Sequence, residues 1–154
     1  MRSLEIFNLK DKLEYLDEIA ELEYDEWADN KKINKEKRIE RKKKKICTMF
    51  TEKNFCKIIL VDNDKLIGFI SIFPKDCEEE KELTPWYSTM YVKKEYRNHG
   101  YSRILSDAIL NEAKNRRIPV LYLKTNLENY YEKFGAIFIK DLKSGEHLYK
   151  FEIL

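Results

Sequence analysis

Glycine is scarce in this chain, four in 154 residues, and proline is scarcer at three. No Gly/Ser/Pro-rich linker and no internal repeat divide it, so residues 1–154 are expected to form a single domain. The three cysteines, Cys47, Cys56 and Cys77, are odd in number and lack metal-ligand spacing. They read as reduced thiols, and no metal is expected. No apolar run approaches the ~20 residues of a membrane helix, and "MRSLEIF" lacks the apolar heart of a secretion signal. A cytoplasmic protein without membrane contact is the expectation. Excess charge of one sign is also missing: 30 Lys and Arg stand against 28 Asp and Glu, a formal net charge of +2. That balance offers no global argument for a nucleic-acid partner.

What the chain does have is 43% hydrophobic and 13% aromatic residues, enough for a packed core. "SLEIFNL" reads as a first strand. Leu9, Leu13, Leu16, Ala20 and Trp27, widened by Ile19 and Leu22, recur at helical spacing and predict one long helix to about Asp29 with Trp27 in the core. A second helix is expected from Asn34 to about Cys47. "FCKIILV" and "LIGFISIF", separated by "DNDK", predict an antiparallel hairpin. The acidic "PKDCEEEKE" precedes a strand, "WYSTMYV". Beyond it Tyr101, Ile104, Leu105, Ala108, Ile109 and Ala113 make a helical stripe. Strand "VLYL" follows Pro119. A short helix is expected to carry Leu127, Tyr130, Tyr131 and Phe134, with Gly135 as its C-terminal cap. "AIFI" and "HLYKFEI" close the chain as strands.

One of the few glycines, Gly100, stands between "TMYV" and the central helix, in "EYRNHGYSRIL". A strand that turns tightly into a helix leaves backbone N–H groups unpaired at the helix start, and with the helix dipole these suit phosphate. Gly100 removes a Cβ from the approach, Ser102 keeps it small, and Arg97 and Arg103 supply charge-assisted donors. Gly100 as a mere turn-former is the plain alternative. Neither a P-loop "GK[ST]" nor a three-glycine dinucleotide fingerprint is present.

"YVKKEYRNHGYSRIL" resembles the acetyl-CoA loop of the GNAT acyltransferases, roughly [QR]-x-x-G-x-[GA] after a strand, with Arg97, Gly100 and Ser102 on the three pattern positions. Ser102 departs mildly from Gly/Ala. "NYYEKFGAIFI" is similar to the family's "YEKxGF" segment, with Tyr131 in the place of the tyrosine near the CoA sulfur. The resemblance implies a GNAT-like α/β fold: a mixed, mostly antiparallel sheet of about six to seven strands, flanked by about four helices and splayed between the fourth and fifth strands. It implies an N-acetyltransferase that uses acetyl-CoA, without metal, on a primary amine of a small molecule or protein, by direct attack in a ternary complex. Backbone groups of Met90, Tyr91 and Val92 would bond pantetheine as an added strand, while Arg97, Asn98, His99, Gly100, Tyr101, Ser102 and Arg103 would surround the pyrophosphate. Tyr131 would protonate the departing thiolate. Periodicity alone makes Tyr131 a core aromatic beside Tyr130.

"WYSTMYV" holds no Glu or His to act as base, only Ser88 and Thr89, so a water chain ending at Glu82 or Asp76 is the expectation. Where many members carry a pantetheine-binding Asn this chain has Lys124, with Asn126 two residues on. The run "KEKRIERKKKK" carries eight basic residues and reads as a solvated helix face. A nucleic-acid-binding module through residues 35–45, or a non-catalytic CoA-binding module, are the competing readings. The acidic loop, near the acceptor cleft in such a fold, would attract cationic amines, and Trp27, Trp86, Tyr24 and Tyr87 are candidates for its walls. A monomer or homodimer is expected.

Overall fold

The structure, a computed structural model, describes residues 4–31 and 33–154. Its strands are β1 (Leu4–Asn8), β2 (Cys56–Asp62), β3 (Lys65–Phe73), β4 (Trp86–Val92), β5 (Val120–Thr125), β6 (Ile137–Asp141) and β7 (His147–Glu152). Its helices are α1 (Leu16–Trp27), α2 (Lys35–Met49) and α3 (Tyr101–Asn115). The strands form a seven-stranded sheet in the order β1-β2-β3-β4-β5-β7-β6. All neighbours are antiparallel except β4 and β5. Ser3, expected in the first strand, lies outside the described residues.

The centre forms where β-branched residues concentrate. Asn63 and Asp64 take φ of +50° and +66°, the left-handed pair that suits a tight hairpin, and join β2 to β3. Alternate side chains of β2 then enter opposite cores. Ile58 and Leu60 pack with Leu105, Ile109 and Ala113 of α3, whereas Ile59 and Val61 meet Leu16, Ile19 and Ile46 of α1 and α2. The sheet is therefore a middle layer, buried on both faces at its centre.

Helix α2 buries only Ile46. Its basic run lies against acidic α1: Lys35 pairs with Asp25 at 3.5 Å, Lys42 with Glu23 at 3.4 Å and Lys43 with Asp17 at 2.5 Å. The rest of the run keeps the expected solvated face, with Lys37, Arg41, Lys44 and Lys45 exposed.

The expected elements are corrected in three places. The first long helix begins only at Leu16, because the Asn8 side chain accepts the Lys10 N–H at 3.1 Å and the chain runs through two 3-10 turns. The fourth helix shrinks to a 3-10 turn, Tyr131–Phe134. Thr125 Oγ1 captures the Leu127 N–H at 3.0 Å and Asn129 adopts φ +57°, both incompatible with a continuous helix. Three α-helices, rather than about four, are present among the described residues. Gly135, at φ +103°, does end that turn as a left-handed cap. Finally, Trp27 is 47% exposed rather than core.

Candidate active site at the strand gap

Strands β4 and β5 are registered only at Trp86↔Tyr122. Beyond this pair they separate, which frees the edge of β4 toward the gap. One cavity, of about 520 Å³, lies on this edge and is lined by Met90, Tyr91 and Val92, by Arg97, Asn98 and Gly100, and by Tyr101 and Ser102 at the start of α3. Asn98 and Gly100 hold φ of +66° and +79°, and an added Cβ on Gly100 would meet nothing within 4 Å. Left-handed turns just ahead of a helix aim successive N–H groups into one concavity, and the helix start leaves its own donors unpaired. Arg97 is held beside this edge: its Nε donates to the Val92 carbonyl at 2.7 Å and its guanidinium lies over the Tyr91 ring at 5.5 Å.

A second cavity, of about 700 Å³, opens along the earlier part of β4, from Tyr87 to Met90. Trp27, Tyr87, Phe73 and Leu123 give it apolar walls, and Glu23, Asp76, Ser88 and Thr89 give it polar ones. Met90 and Tyr131 line both cavities. The Tyr131 ring packs edge-on against Tyr87 at 5.8 Å and Tyr130 at 4.8 Å. Its hydroxyl makes no hydrogen bond among the described residues. Burial, and secondarily Tyr130, push the phenol up to about 12, so it keeps its proton at neutral pH.

A bulge shapes the shared wall. Across Phe69 to Ser71 the β3–β4 register slips, so that Thr89 and Met90 together oppose Ile70. Thr89 sits there at φ +51°, a strained conformation for a β-branched residue. A buried polar chain braces it: Thr89 donates to Ser71 Oγ at 2.5 Å, and Lys57 Nζ donates to the same oxygen at 2.7 Å. Lys57, with no exposed surface, is ion-paired with Glu23, itself only 2% exposed. Burial pushes the Lys57 ammonium below the ordinary lysine range, against the pull of Glu23. At the far wall Ser88 donates to Asp76 at 3.1 Å. Burial raises the Asp76 carboxyl above its usual range, although Lys124 and the Ser88 bond oppose the shift.

Residues 15–136 match the model of the Acetyltransferase (GNAT) family. The chain belongs to the GNAT acetyltransferases. Members of this family transfer acetyl from acetyl-CoA. Over 82 residues the chain is 30% identical to N-alpha-acetyltransferase 30 of Schizosaccharomyces pombe, which covers 50% of this chain and 54% of that protein. It thus spans about half the length of that curated relative. A structure assigned as an acetyltransferase from Acinetobacter baylyi ADP1 superposes with a TM-score of 0.74 at 20% identity, over 99% of this chain and 94% of the other. PaiA N-acetyltransferase from Thermoplasma acidophilum, solved with coenzyme A, gives 0.66 at 20% identity over 97% and 99%. Both likenesses describe the fold.

Within this GNAT domain the expected site residues divide. Met90, Tyr91, Val92, Arg97, Asn98, Gly100, Tyr101 and Ser102 meet at the first cavity, and Tyr131 at the junction. His99 is exposed, stacked on Tyr101 at 5.8 Å. Arg103 instead bonds the Lys133 carbonyl at 3.1 Å and covers Phe134 at 5.1 Å. Asn126 is exposed and lines neither cavity, while Lys124 lines the second. Glu82 is exposed and lines neither, whereas Asp76 lines the second. Of the four expected wall aromatics, Trp27 and Tyr87 line the second cavity; Trp86 and Tyr24 are buried elsewhere.

Sequence reading missed Glu26, Tyr96 and Lys133 at the first cavity and Glu23 at the second. Lys133 had a signal, the basic position of "YEKFG". Glu23 had one too: it falls at helical spacing on the buried stripe of Leu16, Ile19 and Ala20, whereas Glu21 and Glu26 are exposed.

Proposed function

We propose that this protein is an N-acetyltransferase that moves the acetyl group of acetyl-CoA to a primary amine by direct attack in a ternary complex. One observation carries the reading: two cavities, one along Tyr87 to Met90 of β4 and one along Met90 to Val92, meet at Met90 and Tyr131. A thioester entering from one side and an amine from the other would touch at a protonated phenol.

The residues of the first cavity fit the carrier. The exposed edge of β4 offers N–H and C=O groups to pantetheine as an added strand would. Amides from Gly100 to Arg103, with the Arg97 guanidinium, suit a pyrophosphate. In the second cavity, Asp76 takes the proton that the ammonium must lose, directly or through water. The neutral amine attacks the thioester carbonyl, whose developing negative charge a β4 amide at the bulge stabilises. As the C–S bond breaks, Tyr131 gives its proton to the sulfur, and the proton that the attacking nitrogen sheds as the amide forms returns through solvent to the Tyr131 phenolate. Glu82, exposed and away from both cavities, has no part in this scheme.

Tyr131→Phe tests the reading. It removes the acid and keeps the ring against Tyr87, so acetyl-CoA affinity by calorimetry should hold. CoA release with an accepted amine should fall about 10²- to 10⁴-fold. Undiminished turnover in this variant would remove Tyr131 from the chemistry.

A further inference from the structure

The charge of the second cavity bears on what kind of amine it receives. The acidic loop expected to draw cations mostly spends its carboxylates elsewhere: Glu79 accepts the Lys143 N–H at 2.9 Å, Glu80 pairs with Lys140 at 2.5 Å and Glu78 with Lys81 at 3.7 Å. Of that loop Pro74, Lys75 and Asp76 reach the cavity, and Asp76 is its one carboxylate there.

Four lysines line it, Lys42 and Lys45 from α2, Lys75 beyond β3 and Lys124 from β5, against three carboxylates, Glu23, Asp76 and Glu146. Glu23 is already neutralised by Lys42 at 3.4 Å and by buried Lys57. Asp76 and Glu146 accept serine hydroxyls at 3.1 and 3.3 Å and keep their charge, so four lining lysines and the buried Lys57 stand against three carboxylates. Lys45 and Lys124 have no carboxylate within 4 Å among the described residues, although the Lys124 charge is felt by Asp76. Lys124 is half-buried on β5, where a partly dehydrated ammonium gains more from an anion than it would in open solvent. The wall thus carries cations in excess. A ligand with several positive charges meets repulsion here, and one with an anionic group completes the unpaired lysines.

We infer that the second cavity is an acceptor site for an amine that also bears a carboxylate, which Lys124 and Lys45 bind while the amine faces the Met90–Tyr131 junction. This rests on the acetyltransfer reading above and adds the acceptor's chemical class. The same positive wall favours the neutral form of the amine, the form that attacks. Trp27 and Tyr87, lining the same cavity, give room for an apolar stem.

The test uses the full chain with acetyl-CoA and reads CoA release. The acceptors are tripeptide amides beginning Asp or Glu, their Asn and Gln counterparts, free glutamate, and 1,4-diaminobutane. The acid-bearing acceptors should exceed their amide counterparts about three- to tenfold in kcat/KM, and the diamine should be poorest. Lys124→Gln with Lys45→Gln should abolish that preference. Free glutamate outperforming the peptides would place the carboxylate on a small acceptor, and the reverse would place it on a peptide; either supports the proposal. Equal rates for acid and amide acceptors, or preference for the diamine, overturn it.

Should nothing be acetylated, calorimetric titration of the CoA-loaded protein with the same peptides decides the subsite: tighter binding of the acidic members supports it, and equal or absent binding overturns it. Failure of the acetyltransfer reading itself would look different, as absent heat with acetyl-CoA. The peptide titration of the free protein then decides the subsite by the same comparison.

Discussion

Tyr131 suits acid chemistry because burial, and secondarily its neighbour Tyr130, hold the phenol at about 12. A proton lost only near that value leaves Tyr131 competent at every pH where the fold persists, so its ionisation should not limit the rate below about pH 11. Asp76 works in the opposite sense. As the proposed base it must be deprotonated, and its carboxyl lies above the usual range because of burial. The pH profile of kcat/KM should therefore rise through an acid limb displaced upward from an ordinary aspartate, and Asp76→Asn should remove that limb along with most of the rate. A limb unchanged in Asp76→Asn would assign the base elsewhere. At the phosphate end, Gly100 holds φ +79° in open space. Gly100→Ala meets no neighbour and pays only backbone strain, about 1 kcal/mol. Gly100→Asp adds a negative charge where phosphate is expected, and calorimetry should find acetyl-CoA affinity reduced at least tenfold.

The element that matters most is β4, because its bulge gives both cavities their common wall. Two supports hold it, and neither has a local sequence signature. Gly68 on β3 lets β4 come close: a Cβ there would stand 2.3 Å from the Tyr91 carbonyl oxygen. Gly68→Ala should push the backbone of β4 away at the expected pantetheine contact and weaken cofactor binding together with stability. The second support is the chain from Glu23 through Lys57 and Ser71 to Thr89. Lys57→Met strands a buried carboxylate beside Lys42 alone, and should cost about 3–5 kcal/mol in urea unfolding. Adding Glu23→Gln should recover most of that stability. If Lys57 also positions Thr89, the recovered double variant will keep its acetyl-CoA affinity yet lose kcat.

At the scale of the whole molecule, the β4–β5 gap runs between two halves of the sheet that meet at one registered pair. A ligand filling the gap would tie them together. Acetyl-CoA at a hundredfold excess over its Kd should stabilise the folded state by about 2.7 kcal/mol, a rise of several degrees in Tm read by calorimetry. No rise would mean the gap is not its site.

The order of strands and helices was legible because periodicity is local: the α3 stripe and the β2–β3 hairpin each declare themselves within a few turns of chain. That Arg97, Gly100 and Ser102 share one turn was legible for a similar reason, since they lie within six residues of one another, and the structure sets them with Tyr131 on one cavity. The stretch from Leu127 to Phe134 was misread because its aromatics keep helical spacing while Thr125 and Asn129 divert the backbone. Trp27 shared its helix's apolar stripe yet stands partly exposed at a cavity wall, edge-on to Tyr91 of β4, and nothing within the helix reports where a cavity opens.

The amino-acid sequence by itself determined the layers, the phosphate-suited turn and the phenol, because each depends on contiguous residues and short-range sterics. Only the tertiary structure decided the charge of the acceptor cavity, the choice of Asp76 over Glu82 at its wall, and the buried Lys57–Glu23 pair. Those depend on which side chains from α1, α2, β3 and β5 converge, and on which charges lose their water in doing so.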